Sequence, residues 1–345
     1  MREITAVGMD LAKNVFHVVC RDRHDKEVKK RMLKRGQVLA YFANLPKCLV
    51  GLEACAGAHD WARKLREHGH EIKLIPPQYV KPYVRGNKND YNDARAIGEA
   101  VRRPDMRFVA VKTVAQQDIQ ALHRMRERSL EERTGLCNQI RGLLTEYGIV
   151  VPKGVEVLRR RLPELLEDGE NALSDFFRPL LARCYQQLQE IDEHIEFYTR
   201  EVELHAKQDE AEARLQTAPG FGPIVASVFH SVIGDGKAFA KGRDVSASLG
   251  LVPRQHSSGG KEVLLGISKR GNSYLRSLLV HGARAVVSHA HKKDDRLSRW
   301  IMRIKDRRGF NKAVVALANK MARIGWAILH HNTVYNPKHT CRAVG

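Results

Sequence analysis

VGMDLAK at residues 7–13 and VGLEACAG at residues 50–57 decide how the first third of this chain folds. Each is a short apolar run that reaches an acidic residue beside glycine, Asp10 in one and Glu53 in the other. Strand ends of this kind are where an α/β sheet exposes its working edge. Working outward, residues 3–9 and 14–20 are β-rich runs joined by Leu11-Ala12-Lys13-Asn14, and residues 27–33 supply a third strand. Residues 37–45 then read as helix, 47–53 (KCLVGLE) as a buried-type strand, 59–68 as helix and 71–76 (EIKLIP) as strand. The order βββαβαβα predicts a mixed sheet with helical crossovers.

From residue 113 onward the texture changes to long helices. Phe177, Leu181, Cys184, Leu188, Ile191, Ile195, Tyr198 and Val202 follow one another at alternating spacings of four and three. That is the 3.5-residue period of a coiled coil, with charged residues on its flanks. An upstream helix over 115–147 is apolar at Ile119, Leu122, Leu136, Ile140, Leu143 and Tyr147 but interrupted by Arg126 and Arg133. Periodicity does not reveal the partner of such a stripe, so pairing within one chain and pairing between chains both stand. A third region opens near Leu215, with a Gly-rich turn, a polar loop over 254–276 and further helices through Leu329.

The chain has 345 residues, 43% of them hydrophobic, enough to bury substantial cores. Lys and Arg number 59 against 39 Asp and Glu, a formal charge of +20. Residues 241–345 hold 21 Lys/Arg and 5 Asp/Glu, a surplus of 16 in that stretch alone. Charge so localised points to a polyanionic partner, nucleic acid first. No apolar run approaches membrane-spanning length, and MREITAVGMD does not read as a signal peptide. Cys20, Cys48, Cys55, Cys137, Cys184 and Cys341 form no C-x-x-C pair. That argues against a zinc module or disulfide framework and fits a reduced cytoplasmic compartment.

Two more acids complete the chemistry. In KNDYNDARAI at 88–97, Asp90 and Asp93 stand three apart at the start of a helix over 93–102, so both carboxylates can share one face. Asp10, Glu53, Asp90 and Asp93, if convergent, would repel one another unless cations neutralised them. Hard oxygen ligands suit Mg²⁺, and two ions about 3.5–4 Å apart serve phosphodiester cleavage. Taken singly, Asp90 also reads as a helix N-cap and Asp10 as a turn cap. Glu53 in an apolar strand is costly without a partner.

The motifs GMDLAK (8–13), GLEACAG (51–57), KNDYNDARAI (88–97), TAPGFGPIVAS (217–227), SLGLVPRQHSSGGK (248–261) and SKRGNSYLR (268–276) span nearly the whole chain. In that order they resemble the DEDD transposases of bacterial insertion sequences, the one-hundred-and-ten family with its bridge-RNA-guided members. The resemblance implies an α/β RNase H-like (RuvC-like) mixed sheet, a long helical coiled-coil segment and a mainly α-helical C-terminal domain. The expected divisions are a DEDD catalytic domain at 1–110, a helical oligomerisation region at 111–212 and a basic transposase domain at 213–345. It further implies Mg²⁺, two ions with Mn²⁺ as a substitute, held by Asp10, Glu53, Asp90 and Asp93. Ser258, with Ser257 as second choice, maps to a serine that attacks the scissile phosphate to form a 5′-phosphoserine link. DNA, a structured guide RNA and a dimer assembling to a tetramer are the implied partners, in the bacterial cytoplasm.

The turn Pro219-Gly220-Phe221-Gly222-Pro223 resembles a helix-hairpin-helix, where backbone N–H groups hold a DNA phosphate. Gly220, Gly222, Lys261, Lys269, Arg270 and Arg276 are therefore the candidate nucleic-acid contacts, against the plain alternative of a solvated basic face. Three rival functions remain. A RuvC-like hydrolytic nuclease would need the four acids and not Ser258. A non-catalytic basic coiled-coil protein that binds nucleic acid would need neither. An actin-like ATPase lacks a second phosphate loop in this sequence.

Overall fold

The computed structural model describes residues 3–87 and 89–338; residues 1–2, Lys88 and 339–345, with Cys341, lie outside the described residues. The chain divides into two compact units, Met1–Val114 and Ala115–Gly345.

In the first unit, β1 (Ala6–Asp10) is buried along almost its whole length because it lies between two strands. It pairs antiparallel with β2 (Val15–Arg21), which pairs antiparallel with β3 (Glu27–Lys34). After α1 (Val38–Ala43), β4 (Leu49–Glu53) joins β1 in parallel; after α2 (Ala58–Glu67), β5 (Glu71–Ile75) joins β4 in parallel. The order β3-β2-β1-β4-β5 is the predicted mixed sheet, consistent with an RNase H-like start. The edge strand β3, EVKKRMLK, is mostly exposed and lysine-rich, as an edge that must not recruit another strand should be. Following α3 (Pro77–Val80), α4 (Asp90–Ala100) packs across β1. The approach is so close that a Cβ on Gly8 would stand 2.1 Å from the Ala94 carbonyl oxygen and 2.3 Å from the Gly98 nitrogen. Gly8→Ala must push α4 off the sheet, and about 3 kcal/mol or more of stability should be lost in urea unfolding. An unchanged midpoint would mean that α4 is not clamped there.

The second unit begins with two long helices, α5 (Val114–Glu146) and α7 (Phe177–Gln208), with α6 (Val155–Glu167) between them. The heptad-like stripe is spent inside the chain. Phe177, Leu181, Leu188, Ile191 and Ile195 are buried in one cluster with Leu136, Ile140 and Leu144 of α5 and Leu158 and Leu162 of α6. No coiled coil between copies is required to cover it. The two arginines that interrupt the α5 stripe have partners across the helices. Arg133 Nη1 donates to Asp192 Oδ1 at 3.3 Å, an aspartate also bound by Arg159 Nε at 2.7 Å, and Arg126 Nε donates to Thr199 Oγ1 at 2.8 Å.

A larger core gathers α8 (Glu210–Gln216), α9 (Pro223–Ile233), α10 (Gly242–Ser248), α11 (Ser273–His289), α12 (Arg296–Arg308) and α13 (Phe310–His331). Between α10 and α11 the expected polar loop is a β-hairpin of β6 (Pro253–Gln255) and β7 (Leu264–Ile267). Tyr335 packs against this core, and its N–H donates to Thr217 Oγ1 at 2.9 Å. His123 of α5 is buried between Ser227 Oγ (3.1 Å) and Tyr274 Oη (3.3 Å), and burial pushes its pKa down to about 4, so the imidazole is neutral.

Candidate active site

Asp10 closes β1 and Glu53 closes β4. The two strands run parallel with Met9 opposite Leu52, so the acids emerge side by side at one edge of the sheet. The helix carrying the other two begins at Asp90, three residues earlier than its apolar pattern predicts. Its N-cap is Asn89, whose side chain accepts from the Tyr91 N–H at 2.9 Å. Asp90 is thereby relieved of capping, and Asp90 and Asp93 stand in the first turn. Carboxylate oxygens of Asp10, Asp90 and Asp93 all lie within 4.8 Å of one another.

Glu53 is not part of that group of three, although its charge is felt by Asp10. Burial, then the nearby charges of Asp93, Asp90 and Glu53, raise Asp10 from the ordinary 3.8 to about 6. Glu53 is also raised, by burial first and by Asp93 second. Acids pushed up by one another are a site that a cation would relieve, and an all-oxygen donor set fits a hard divalent ion.

One neighbour escapes the motif reading. His17 of β2 lies opposite Asp10 in the sheet register, and its Nδ1 is 3.4 Å from Asp90 Oδ2. The ring is almost buried and sits edge-on to Tyr91, with centroids 4.6 Å apart. Counting back across the short Leu11–Asn14 connection finds the pair from sequence, since antiparallel partners have a constant sum of residue numbers.

The serines occupy the hairpin tip. Ser258 pairs with Lys261, whose N–H donates to the Ser258 carbonyl at 3.1 Å. Gly259 and Gly260 between them take φ of 56° and 77°, the two positive values of a type I′ turn. Ser257, Ser258, Lys261 and His256 are all exposed. At the base of the hairpin, Lys269 has φ 56°, and Gly271 and Gly250 admit no Cβ because 269–271 runs against the backbone of 248–250. Arg276 Nη1 donates to the carbonyls of Leu249 (3.1 Å) and Arg270 (2.8 Å), a clamp on that base. Gly220, with φ 87°, meets Met321 and Gly282 where a Cβ would stand, so the turn is seated on α11 and α13; the corresponding position at Gly222 is open.

Comparison with known proteins supplies the class. A family model described as "Transposase", of the DEDD type, matches residues 7–149, and one described as "Transposase IS116/IS110/IS902 family" matches residues 212–298. These matches define a transposase, a DNA-processing enzyme whose partner is DNA. Among its relatives, a probable family 20 transposase of Pseudomonas aeruginosa is 48% identical over 97% of this chain and 99% of its own length. The transposase for insertion sequence element IS1111A of Coxiella burnetii is 46% identical over 97% and 92%, and that for IS1328 of Yersinia enterocolitica 42% identical over 97% and 100%. The chain belongs to the IS116/IS110/IS902 family of insertion-sequence transposases.

Proposed function

We propose that this transposase cleaves and rejoins DNA through a divalent-metal site made by Asp10, Glu53, Asp90 and Asp93 together with a serine nucleophile, Ser258. The convergence of the Asp10, Asp90 and Asp93 carboxylates is the observation that carries the reading. Mg²⁺ is the ion assigned, with Mn²⁺ as a substitute, because the donors are hard oxygens. Bound there, the cation supplies positive charge against the charge that builds on the phosphate oxygens. The four carboxylates hold it, and His17, beside Asp90, orients that carboxylate.

Ser258 Oγ forms a bond to the scissile phosphorus while the bond to the 3′ oxygen breaks. The hydroxyl proton lost by the serine is balanced by the proton the departing 3′-hydroxyl gains, and the 5′ phosphate stays on the protein. Lys261, Lys269 and Arg270, with the Gly220–Gly222 turn, bind the DNA backbone, and Arg276 holds the hairpin base. A structured RNA from the element selects the DNA; the surplus of 16 positive charges at 241–345 supports a second polyanion. Catalysis at 1–110, assembly through 111–212 and DNA binding at 213–345 are the proposed divisions. Leu180, Phe197 and Leu204 are exposed on α7 and are offered as the surface for a dimer that assembles to a tetramer. Action in the cytoplasm accords with a DNA substrate; among the described residues no helix is long and apolar enough to cross a membrane.

The test incubates protein, Mg²⁺, element-end DNA and RNA from the element's flank, then denatures. Protein covalently attached to a DNA 5′ end is expected, and its loss on omitting the RNA supports guidance. Free cleaved ends without any adduct would replace the serine mechanism with hydrolysis.

A further inference from the structure

A second cluster of chemically competent side chains lies in the second unit, where α7, α8 and α9 meet. His205 stands in the last turn of α7, Asp209 between α7 and α8, Glu212 in the first turn of α8 and His230 in the last turn of α9. His205 Nδ1 is 3.3 Å from Glu212 Oε1; His230 Nδ1 is 3.3 Å from Asp209 Oδ1 and 3.7 Å from Glu212 Oε1. Ligand atoms of His205, Asp209 and Glu212 all fall within 4.8 Å of one another. Glu212 is 1% exposed, yet its Oε2 has no hydrogen-bond partner, and neither has His205 Nδ1. The ion-pair partners of Glu212 are the two histidines, while the neighbouring Arg214 turns to Glu210.

A buried carboxylate with an unsatisfied oxygen is expensive, and several kcal/mol is the general scale when nothing compensates it. An imidazolium compensating it directly would close to a charge-assisted bond of about 2.7–2.9 Å. The observed separations are longer. Two of the three, at 3.3 Å, equal the edge of a tetrahedron whose vertices lie about 2.0–2.1 Å from a central ion, and the 3.7 Å between His230 and Glu212 is longer than that edge. Two imidazoles and two carboxylates are a borderline donor set, unlike the all-oxygen cluster on the sheet.

We propose that His205, Asp209, Glu212 and His230 bind one borderline divalent cation, zinc by preference. The ion fastens the end of the long helix α7 to the α8–α9 pair and so fixes the turn at 217–222. Asp209 serves twice, because its Oδ1 also accepts the Glu212 N–H at 2.8 Å and caps α8.

The full chain is purified without a polyhistidine tag from zinc-supplemented cells, dialysed against Mg²⁺ and its metal measured by mass spectrometry. About one zinc per chain is expected, in the parent and equally in Asp10→Asn. His230→Gln should weaken zinc binding by roughly 100-fold or more, since even partners outside the ligand sphere are worth 10–100-fold. Because Glu212→Gln could disturb folding, His230 is the main variant, and Co²⁺ titration of chelator-stripped parent is the second measurement. The intense visible absorption of tetrahedral Co²⁺ supports the site. Zinc absent from the parent, with no tetrahedral Co²⁺ spectrum, leaves only imidazole–carboxylate pairs and overturns the proposal. Zinc lost in Asp10→Asn but kept in His230→Gln overturns it too.

Discussion

Asp10→Asn is expected to abolish DNA cleavage and, at the same time, to make the metal-free protein more stable than the parent at pH 7. The first effect follows from the proposed site. Losing several kcal/mol of charge stabilisation at the phosphate corresponds to about 10³-fold or more in rate. The second follows from the repulsion already present. Between 3.8, where the unfolded chain's aspartate ionises, and about 6, where Asp10 does, the folded protein retains a proton that the unfolded chain has released. Stability therefore falls as pH rises through that window. The displacement corresponds to at most about 3 kcal/mol, and since Asp10 is only half-buried, solvent screening reduces this to about 1–2 kcal/mol. A neutral amide escapes it. Urea unfolding in chelator should show parent and variant equal near pH 4 and the variant ahead at pH 7. Adding Mg²⁺ should stabilise the parent and leave the variant nearly unmoved. A parent that is more stable than Asp10→Asn at pH 7 without metal would mean that the carboxylates do not strain one another, and the cation site would lose its physical basis.

The sheet was legible because its signals are local. VGMD and VGLE are short apolar runs that end in acids, the crossovers have strand-helix-strand lengths, and the observed β1 and β4 end at Asp10 and Glu53. Helix α4 began earlier than its apolar pattern because the start is set by a side-chain cap, Asn89, which hydrophobic periodicity does not record. The stripe on α7 showed its period but not its partner; heptad arithmetic cannot say whether Ile140 of α5 or a second copy covers it, and the fold chose α5 and α6. Residues 254–276 read as a loop because the serines and glycines outweigh the short apolar run Val263-Leu264-Leu265, which stays exposed. Only the pairing of Ser258 with Lys261 reveals the Gly-Gly pair as a hairpin turn. In the His205, Asp209, Glu212 and His230 cluster, three members stand four and three residues apart, but the break between α7 and α8 falls among them and His230 comes from α9, so the linear spacing alone does not show that they meet.

That hairpin makes the serine prediction sharper than a motif could. Ser258 makes the bridge to Lys261 that closes the Gly-Gly turn, whereas Ser257 lies between β6 and that bridge, so the two serines occupy different backbone positions. Ser258→Ala should remove the covalent protein–DNA adduct altogether, since deleting a serine nucleophile can cost on the order of 10⁶-fold in rate. Ser257→Ala should keep it. The turn supplies an intermediate case. Gly259 and Gly260 hold φ of 56° and 77° with open space around them, so alanine there meets strain and no clash. At about 1–2 kcal/mol per residue in that conformation, Gly260→Ala should lower the yield of adduct by roughly 10-fold while leaving its chemistry intact. Denaturing electrophoresis of end-labelled DNA reads all three variants, and circular dichroism checks that each is folded. An adduct lost in Ser257→Ala and kept in Ser258→Ala would move the nucleophile by one residue. Free 5′ ends that survive both substitutions but vanish in Asp10→Asn would assign the attack to water, and the acidic cluster would then act without the hairpin's hydroxyl.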